Sequence, residues 1–343
     1  MNNRIVNIVL TIVIGATISQ AQWKLEPSLH SLVVTGIDFI LKQDYDRADS
    51  LFRVVTDRYP DHPAGYLYRA AVLQAYNIDF DVPIEQGKFD SLLMMGKSTS
   101  EKISSPWSRY FLGTADGYDA CERVERGDWF GGVRKGISSA SKFEEIIEKD
   151  SSFYDAYVGI GTYYYWRSRK MEFFKWLPFV KDDRELGIRL LIIGAEQSEY
   201  NQFAAMSALV SIYFDSENYK QAEAWSKRGL NSYPENRIFL WGLATALDRQ
   251  NRSVEAVEAY STLLENIVRS HAPHPYNEIV CRLNLVKSKV ALKDTIAVFY
   301  HLNKLLSYEA SSFPVNFQSR AKAKFEEARK LLLKLENQRT SLK

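Results

Sequence analysis

The chain has 343 residues and only two cysteines, Cys121 and Cys281, so no disulfide framework is available and the core must hold by packing. Each cysteine falls in a helix-like context, the setting of a buried thiol, and no disulfide is expected. An excess of one charge is also missing. Lys and Arg number 44 against 42 Asp and Glu, and no like-charge run exceeds a few residues, which leaves no strong field for nucleic acid. A long apolar run is absent as well. The stretch from Ile5 to Ile18 is shorter than the roughly 20 residues of a spanning helix. With Arg4 before it and Ser19-Gln20-Ala21 after it, it reads as a secretory signal over residues 1–21, removed before Gln22. A single membrane anchor is the alternative reading. No cysteine follows for lipid attachment, so the expectation is an exported chain, periplasmic or extracellular, with association with the envelope as an option.

Catalytic and ligating constellations are missing too. His271 and His274 lie three apart, but Pro273 and Pro275 make a rigid turn with no third ligand. Asp79, Asp81, Glu85 and Asp90 imitate a calcium loop, yet Ile84 stands where such a loop needs glycine. Gly136-Ile137-Ser138-Ser139-Ala140 is one residue short of a nucleophile elbow and lies in a helical stripe, not after a strand. No enzyme activity, no cofactor and no metal are expected.

What is present is a repeat. Val210 and Ala244 are 34 residues apart. Tyr213, Ala222 and Pro234 follow the first at offsets 3, 12 and 24, and Leu247, Ala256 and Tyr260 follow the second at 3, 12 and 16. Ala222 and Ala256 put a small residue where a second helix must cross a first closely. Gly36 opens the same frame, with Phe39, Ala48, Phe52 and Pro60 at offsets 3, 12, 16 and 24. These positions resemble the tetratricopeptide-repeat (TPR) family, whose units are 34-residue helix pairs with small, aromatic and proline positions of this kind. The resemblance implies an all-α, right-handed superhelical solenoid in which each pair touches only its neighbours.

Along residues 22–343 the repeats read as 29–62, 63–100 in degenerate form, 154–200, 203–236 and 237–270. A turn is expected at residues 77–83, with Asp81 and Pro83 starting the next helix. Ser105-Pro106 opens a lengthened third pair whose second helix, Trp129 to Glu148, should bury Val133, Ile137, Ala140, Phe143 and Ile147. Residues 154–200 carry an aromatic insertion over 170–181 and then a helix beginning at Asp182, with Glu185 closing a capping box. A helix over 317–338 sets Ala321, Phe325, Ala328, Leu332 and Leu335 on one face, as a terminal cap requires.

The family turns first-helix positions towards a concave groove. In this chain the matching residues include Tyr165 and Trp166, Phe214, and Trp241, Thr245, Asp248 and Arg249, with Val33, Ile37 and Ile40 in the first repeat. The Lys and Asn residues by which chaperone-binding members clamp a carboxylate tail are absent from these positions. The resemblance therefore implies a non-catalytic exported scaffold that binds a peptide or partner protein in the groove. The alternative is a glycan- or small-ligand-binding solenoid of the cell envelope. Phe173, Phe174 and Trp176 of the insertion form an accessory patch that three roles fit: a satellite core over the third pair, a protein contact, or a shallow contact with an anionic membrane.

Overall fold

A computed structural model describes residues 24–172 and 181–340. The expected signal segment, and Phe173, Phe174 and Trp176, lie outside the described residues. The described chain is an all-α solenoid of antiparallel helix pairs. The pairs are α1 (Pro27–Leu41) with α2 (Tyr45–Arg58), α3 (Ala64–Phe80) with α4 (Gln86–Ser100), and α5 (Pro106–Glu125) with α6 (Trp129–Lys149). They continue as α7 (Asp155–Lys170) with α8 (Arg184–Gln197), α9 (Gln202–Asp215) with α10 (Tyr219–Ser232), α11 (Arg237–Arg249) with α12 (Ser253–Arg269), and α13 (Tyr276–Ala291) with α14 (Thr295–Leu306). A last helix, α15 (Val315–Thr340), packs on α13 and α14 and buries Phe317, Ala321, Phe325 and Ala328 there. Each helix packs on the next, and α1, α3, α5, α7, α9 and α11 also touch in succession. No described helix is long and apolar enough to cross a membrane.

One turn recurs inside the pairs. The first helix ends and a single residue takes the left-handed conformation: Gln43, Glu217, Asn251 and Lys293 at φ 56–60°, and Gly127 at φ 85°. The next backbone N–H then reaches back to a carbonyl five residues earlier, as from Asp44 to Phe39, Asn218 to Tyr213 and Asp294 to Lys289. This satisfies a carbonyl that the helix end leaves open. The side chains of Asp44, Asn218, Asp294 and Asp128 immediately cap the following helix by accepting from Arg47, Gln221, Ala297 and Gly131. Stopping one helix and starting the next within three residues is what folds each pair back on itself.

Small residues set how closely the pairs cross. Ala48, Ala222 and Ala256 are fully buried. The tightest crossing is glycine on glycine: a Cβ on Gly161 would lie 2.8 Å from the Gly187 carbonyl oxygen, and one on Gly187 only 2.6 Å from that of Gly161. Backbone cannot yield as a side-chain tip can. Gly161→Ala is therefore expected to destabilise by about 1–3 kcal/mol through overpacking. Gly87→Ala, with nothing within 4 Å of its Cβ, serves as the neutral-to-stabilising control in the same urea titration.

Three local expectations are corrected. Helix α3 continues to Phe80, and Asp81 ends it in the left-handed conformation (φ 55°) instead of starting the next helix. Helix α8 begins at Arg184 without the capping box, because the Asp182 carboxylate takes the Arg184 guanidinium at 2.7 Å. Val133 and Ile137 are exposed. Helix α7 runs alongside these turns, with Lys170 over Trp129 and Tyr163 beside Gly136, but the face of α6 that is buried carries Gly132, Ser139, Ala140, Phe143 and Ile146.

The pairs do not touch only their neighbours. The first three helices rest against the N-terminal ends of α9, α11 and α13. Tyr233 donates to Asp38 (3.2 Å), Asn236 Nδ2 to the Leu41 carbonyl (2.8 Å), and the Arg237 N–H to Gln43 Oε1 (2.9 Å). Asp79 is buried between Arg237 and Tyr45, whose hydroxyl donates at 2.9 Å. Asn277 Nδ2 donates to the Asp79 carbonyl at 2.7 Å, and Arg320 of α15 pairs with Asp81 at 2.6 Å. Before α9, Tyr200 accepts from the Leu25 N–H (3.0 Å) and packs edge-on against Trp107. The chain closes on itself through side chains.

Candidate partner-binding surface

Closure occupies one end of the inner helices and leaves the other. The N-terminal ends of α9, α11 and α13 are taken by the first pairs, as described. Trp166, Phe214, Asp248 and Arg249 sit in the last turns of α7, α9 and α11, with Thr245 one turn and Trp241 two turns further back on α11. Trp166, Phe214, Trp241, Thr245 and Asp248 are half-buried and Arg249 is exposed. Each aromatic is steadied edge-on or at a tilt by a neighbouring ring: Trp166 by buried Tyr165 at 5.2 Å, Phe214 by half-buried Tyr219 at 6.1 Å and Trp241 by buried Tyr260 at 6.3 Å. Such rings hold their rotamers while keeping one face for a partner.

Tyr165 does not belong with them. It is buried, and its hydroxyl donates to Asp215 Oδ2 at 2.7 Å. Burial first, and the hydrogen bond to Asp215 second, push its phenol well above the ordinary range. Its side chain reaches from α7 to α9, where the hydroxyl also meets the Ile212 carbonyl at 3.3 Å, so it is core and not groove. In the first repeat Val33 is likewise buried.

The polar groups of the surface differ in how far they are already engaged. Asp248 accepts from Ser288 Oγ at 3.0 Å. Arg169 holds Asp215 at 2.8 Å and Glu172 at 2.6 Å. Arg249 has no ion pair or hydrogen bond among the described residues. The negative ends of the α7, α9 and α11 dipoles converge here and favour cations, so a free guanidinium is comfortable without a carboxylate of its own.

Residues that sequence reasoning passed over clamp the stems of the insertion. Arg167 pairs with Asp183, Arg184 reaches Glu172 at 3.5 Å, and Ser168 Oγ accepts from the Asp183 N–H at 2.9 Å. Their signal was the charge flanking the aromatic run, Arg167 and Arg169 before it and Asp182, Asp183 and Arg184 after it.

A second cleft of about 620 Å³ between α4 and α5 is lined by Asp90, Leu93, Met94, Lys97, Asp119, Arg123, Arg126 and Asp128. Its charges answer one another: Arg123 holds Asp119 at 2.7 Å and Asp128 at 2.8 Å. Behind it Asp116 is buried, which raises its pKa, but Lys142, Lys135 and Lys97 together hold the carboxyl far below the usual range. Ser138 and Ser139 of the elbow-like stretch bond to Asp116 and to the Gly113 carbonyl, as helix packing requires. No group of three His, Cys, Asp or Glu able to hold a metal ion occurs among the described residues. His274 is buried against Phe317, and Cys121 and Cys281 are free thiols.

No protein-family profile matches the chain, and no curated protein matches it. Solved structures do. The C-terminal part of a TPR repeat-containing protein from Cytophaga hutchinsonii is 16% identical and aligns over 85% of this chain and 98% of that one, with a TM-score of 0.42. An assembly chaperone of RpL4 is 16% identical over 81% of this chain and 99% of that one, at 0.39. PilW, a widely conserved type IV pilus biogenesis factor, is 13% identical over 86% and 99%, at 0.31. The fold of the present chain, argued from its own repeat and helix pairs, is a TPR-like α-solenoid. TM-scores this low say nothing of what it binds.

Proposed function

We propose that this TPR-like chain is a non-catalytic scaffold that holds an extended peptide or a partner's helix against the C-terminal ends of α7, α9 and α11. The observation that carries this reading is the exposed Arg249, with no ion pair among the described residues, beside half-buried Trp241, Thr245 and Phe214. Interfaces concentrate their binding energy in such Trp and Arg anchors, and an acidic side chain on the partner would meet Arg249. The pattern of residues 1–21 supports export, which would place the scaffold outside the cytoplasm.

The test is a crosslinking capture from the envelope with purified wild-type and variant chains. Trp241→Ala and Arg249→Ala are each expected to weaken capture of the same partner by at least about tenfold, with helicity by circular dichroism unchanged. Equal capture by both variants would move the site elsewhere. Retention of the wild type on an insoluble polysaccharide, lost in Trp241→Ala, would favour glycan binding instead.

A further inference from the structure

The largest concentration of exposed apolar side chains among the described residues lies on the first half of α6. Trp129, Val133 and Ile137 follow one another at one-turn intervals and are each more than half exposed, and Phe130 beside them is 94% exposed. At 3.6 residues per turn the four fall in one sector of about 100°, with Arg134 at its edge. A contiguous apolar face of this kind marks a contact with a protein or a membrane. We propose that it docks on an anionic lipid surface, the four apolar side chains entering the headgroup layer while Arg134 and Lys170 meet the phosphates.

Charge selects that occupant first. From Trp129 to Phe143 the helix carries no Asp or Glu, but it carries Arg134, Lys135 and Lys142. Lys135 and Lys142 hold Asp116, whereas Arg134 is exposed with no ion pair among the described residues. The Lys170 ammonium, in the last residue of α7, stands 5.4 Å over the Trp129 ring, so a second cation borders the apolar face. The acids close to it in sequence are mostly engaged: Arg123 holds Asp128 at 2.8 Å, and Arg169 and Arg184 hold Glu172. Glu125 alone is exposed at that end without an ion pair among the described residues. Area points the same way. Four side chains exposing on the order of 500 Å² fall short of the roughly 800 Å² that each partner of a stable protein interface buries. Shallow insertion needs no more than this, since tryptophan and phenylalanine settle at headgroup depth and arginine and lysine reach up to the phosphates.

Flotation of the purified full chain with vesicles tests the assignment. Binding is expected to vesicles of phosphatidylglycerol and phosphatidylcholine in equal parts, and to be several-fold weaker to phosphatidylcholine alone. Phe130→Ser and Arg134→Glu should each lower the bound fraction several-fold. Ile296→Ser, at a residue of α14 that is 88% exposed, should leave it unchanged. A local probe reads the contact itself: an environment-sensitive fluorophore on Val133→Cys in a Cys121→Ser background should shift its emission to the blue when the mixed vesicles are added, and the same fluorophore on Lys220→Cys of α10 should not. Equal binding by all the variants, equal binding to both kinds of vesicle, or the same shift at both labels would overturn the proposal. So would a dimer that Phe130→Ser dissociates and that ignores vesicles, which would give the face to a second copy.

Discussion

Asp79→Ala is expected to lower the unfolding free energy by about 3–5 kcal/mol, the cost of leaving a buried charge without its counter-ion. Asp79 and Arg237 are both buried. Asp79 Oδ1 accepts from Arg237 Nε at 2.9 Å, Oδ2 accepts from Arg237 Nη2 and from the Tyr45 hydroxyl, and the guanidinium lies 5.1 Å over the Phe80 ring. Deleting the carboxylate strands the cation and a phenol in a site that water does not reach. Asp61→Ala, which removes the exposed Lys102 pair at 2.6 Å, should cost under about 1 kcal/mol. Replacing Asp79 and Arg237 together by leucine should cost less than the sum of the single changes, since no lone charge is then buried. Urea unfolding measures all three. An Asp79→Ala midpoint equal to that of Asp61→Ala would mean that the closure contributes nothing.

Acid should destabilise the chain before its carboxylates titrate. His62 and His301 are desolvated, which pushes each imidazole down to about 4. The His62 Nδ1 accepts from the Ala64 N–H at 3.2 Å, which needs the neutral form, and the ring meets Phe111 edge-on at 5.5 Å. An unfolded imidazole titrates near 6.5. Above that pH neither state is charged and the stability is complete. As pH falls from 6.5 to 4 the unfolded chain takes protons that the folded chain refuses, and each histidine forfeits up to about 3 kcal/mol. Two carboxyls oppose them, Glu122, which burial raises, and Asp155. Burial raises Asp155 to about 6, against the Tyr200, Glu199 and Asn201 N–H groups that it caps. Its folded form binds a proton earlier than its unfolded form, so it adds stability as pH falls from about 6 towards 3.8. With three histidines, His274 included because burial lowers it too, against two carboxyls, a net loss of stability is expected. His62→Leu should flatten the profile between pH 6.5 and 4, and an unchanged slope would exclude His62 as a source.

Much of the fold was legible because its causes are local. Ala48, Ala222 and Ala256 recur at helix crossings, and the Asp44-Tyr45, Asn218-Tyr219 and Asp128-Trp129 steps each carry a cap and the first residue of a second helix. What was not legible depends on lengths and on distance. The exposure of Val133 and Ile137 follows from α6 turning Gly132, Ser139, Ala140, Phe143 and Ile146 inward instead, a choice between neighbouring faces that the periodicity of α6 alone does not contain. Tyr165 and Trp166 are adjacent in sequence and both aromatic, and only the contacts of Tyr165 with Ile212 and Asp215, about 50 positions on, show that it turns inward. Asp79 and Arg237 are 158 positions apart, and neither residue differs in its own neighbourhood from an ordinary surface charge. On the candidate surface, Trp166, Phe214, Trp241, Thr245, Asp248 and Arg249 keep positions open to a partner, while the closure that occupies the other end of the same helices had no sequence signal.

That closure changes how the molecule should come apart. A linear array frays from its ends, because a terminal repeat has one neighbour and melts independently of the middle. Here α1 and α3 are tied to α11 and α13, so releasing the first repeat means breaking the Asp79 and Asn236 contacts as well. Amide hydrogens in α1 should exchange only through openings nearly as costly as global unfolding. The same ties are contacts of high sequence separation that form only after the intervening helices are in place. Folding should therefore end on a slow docking step that an open array of the same helices would lack.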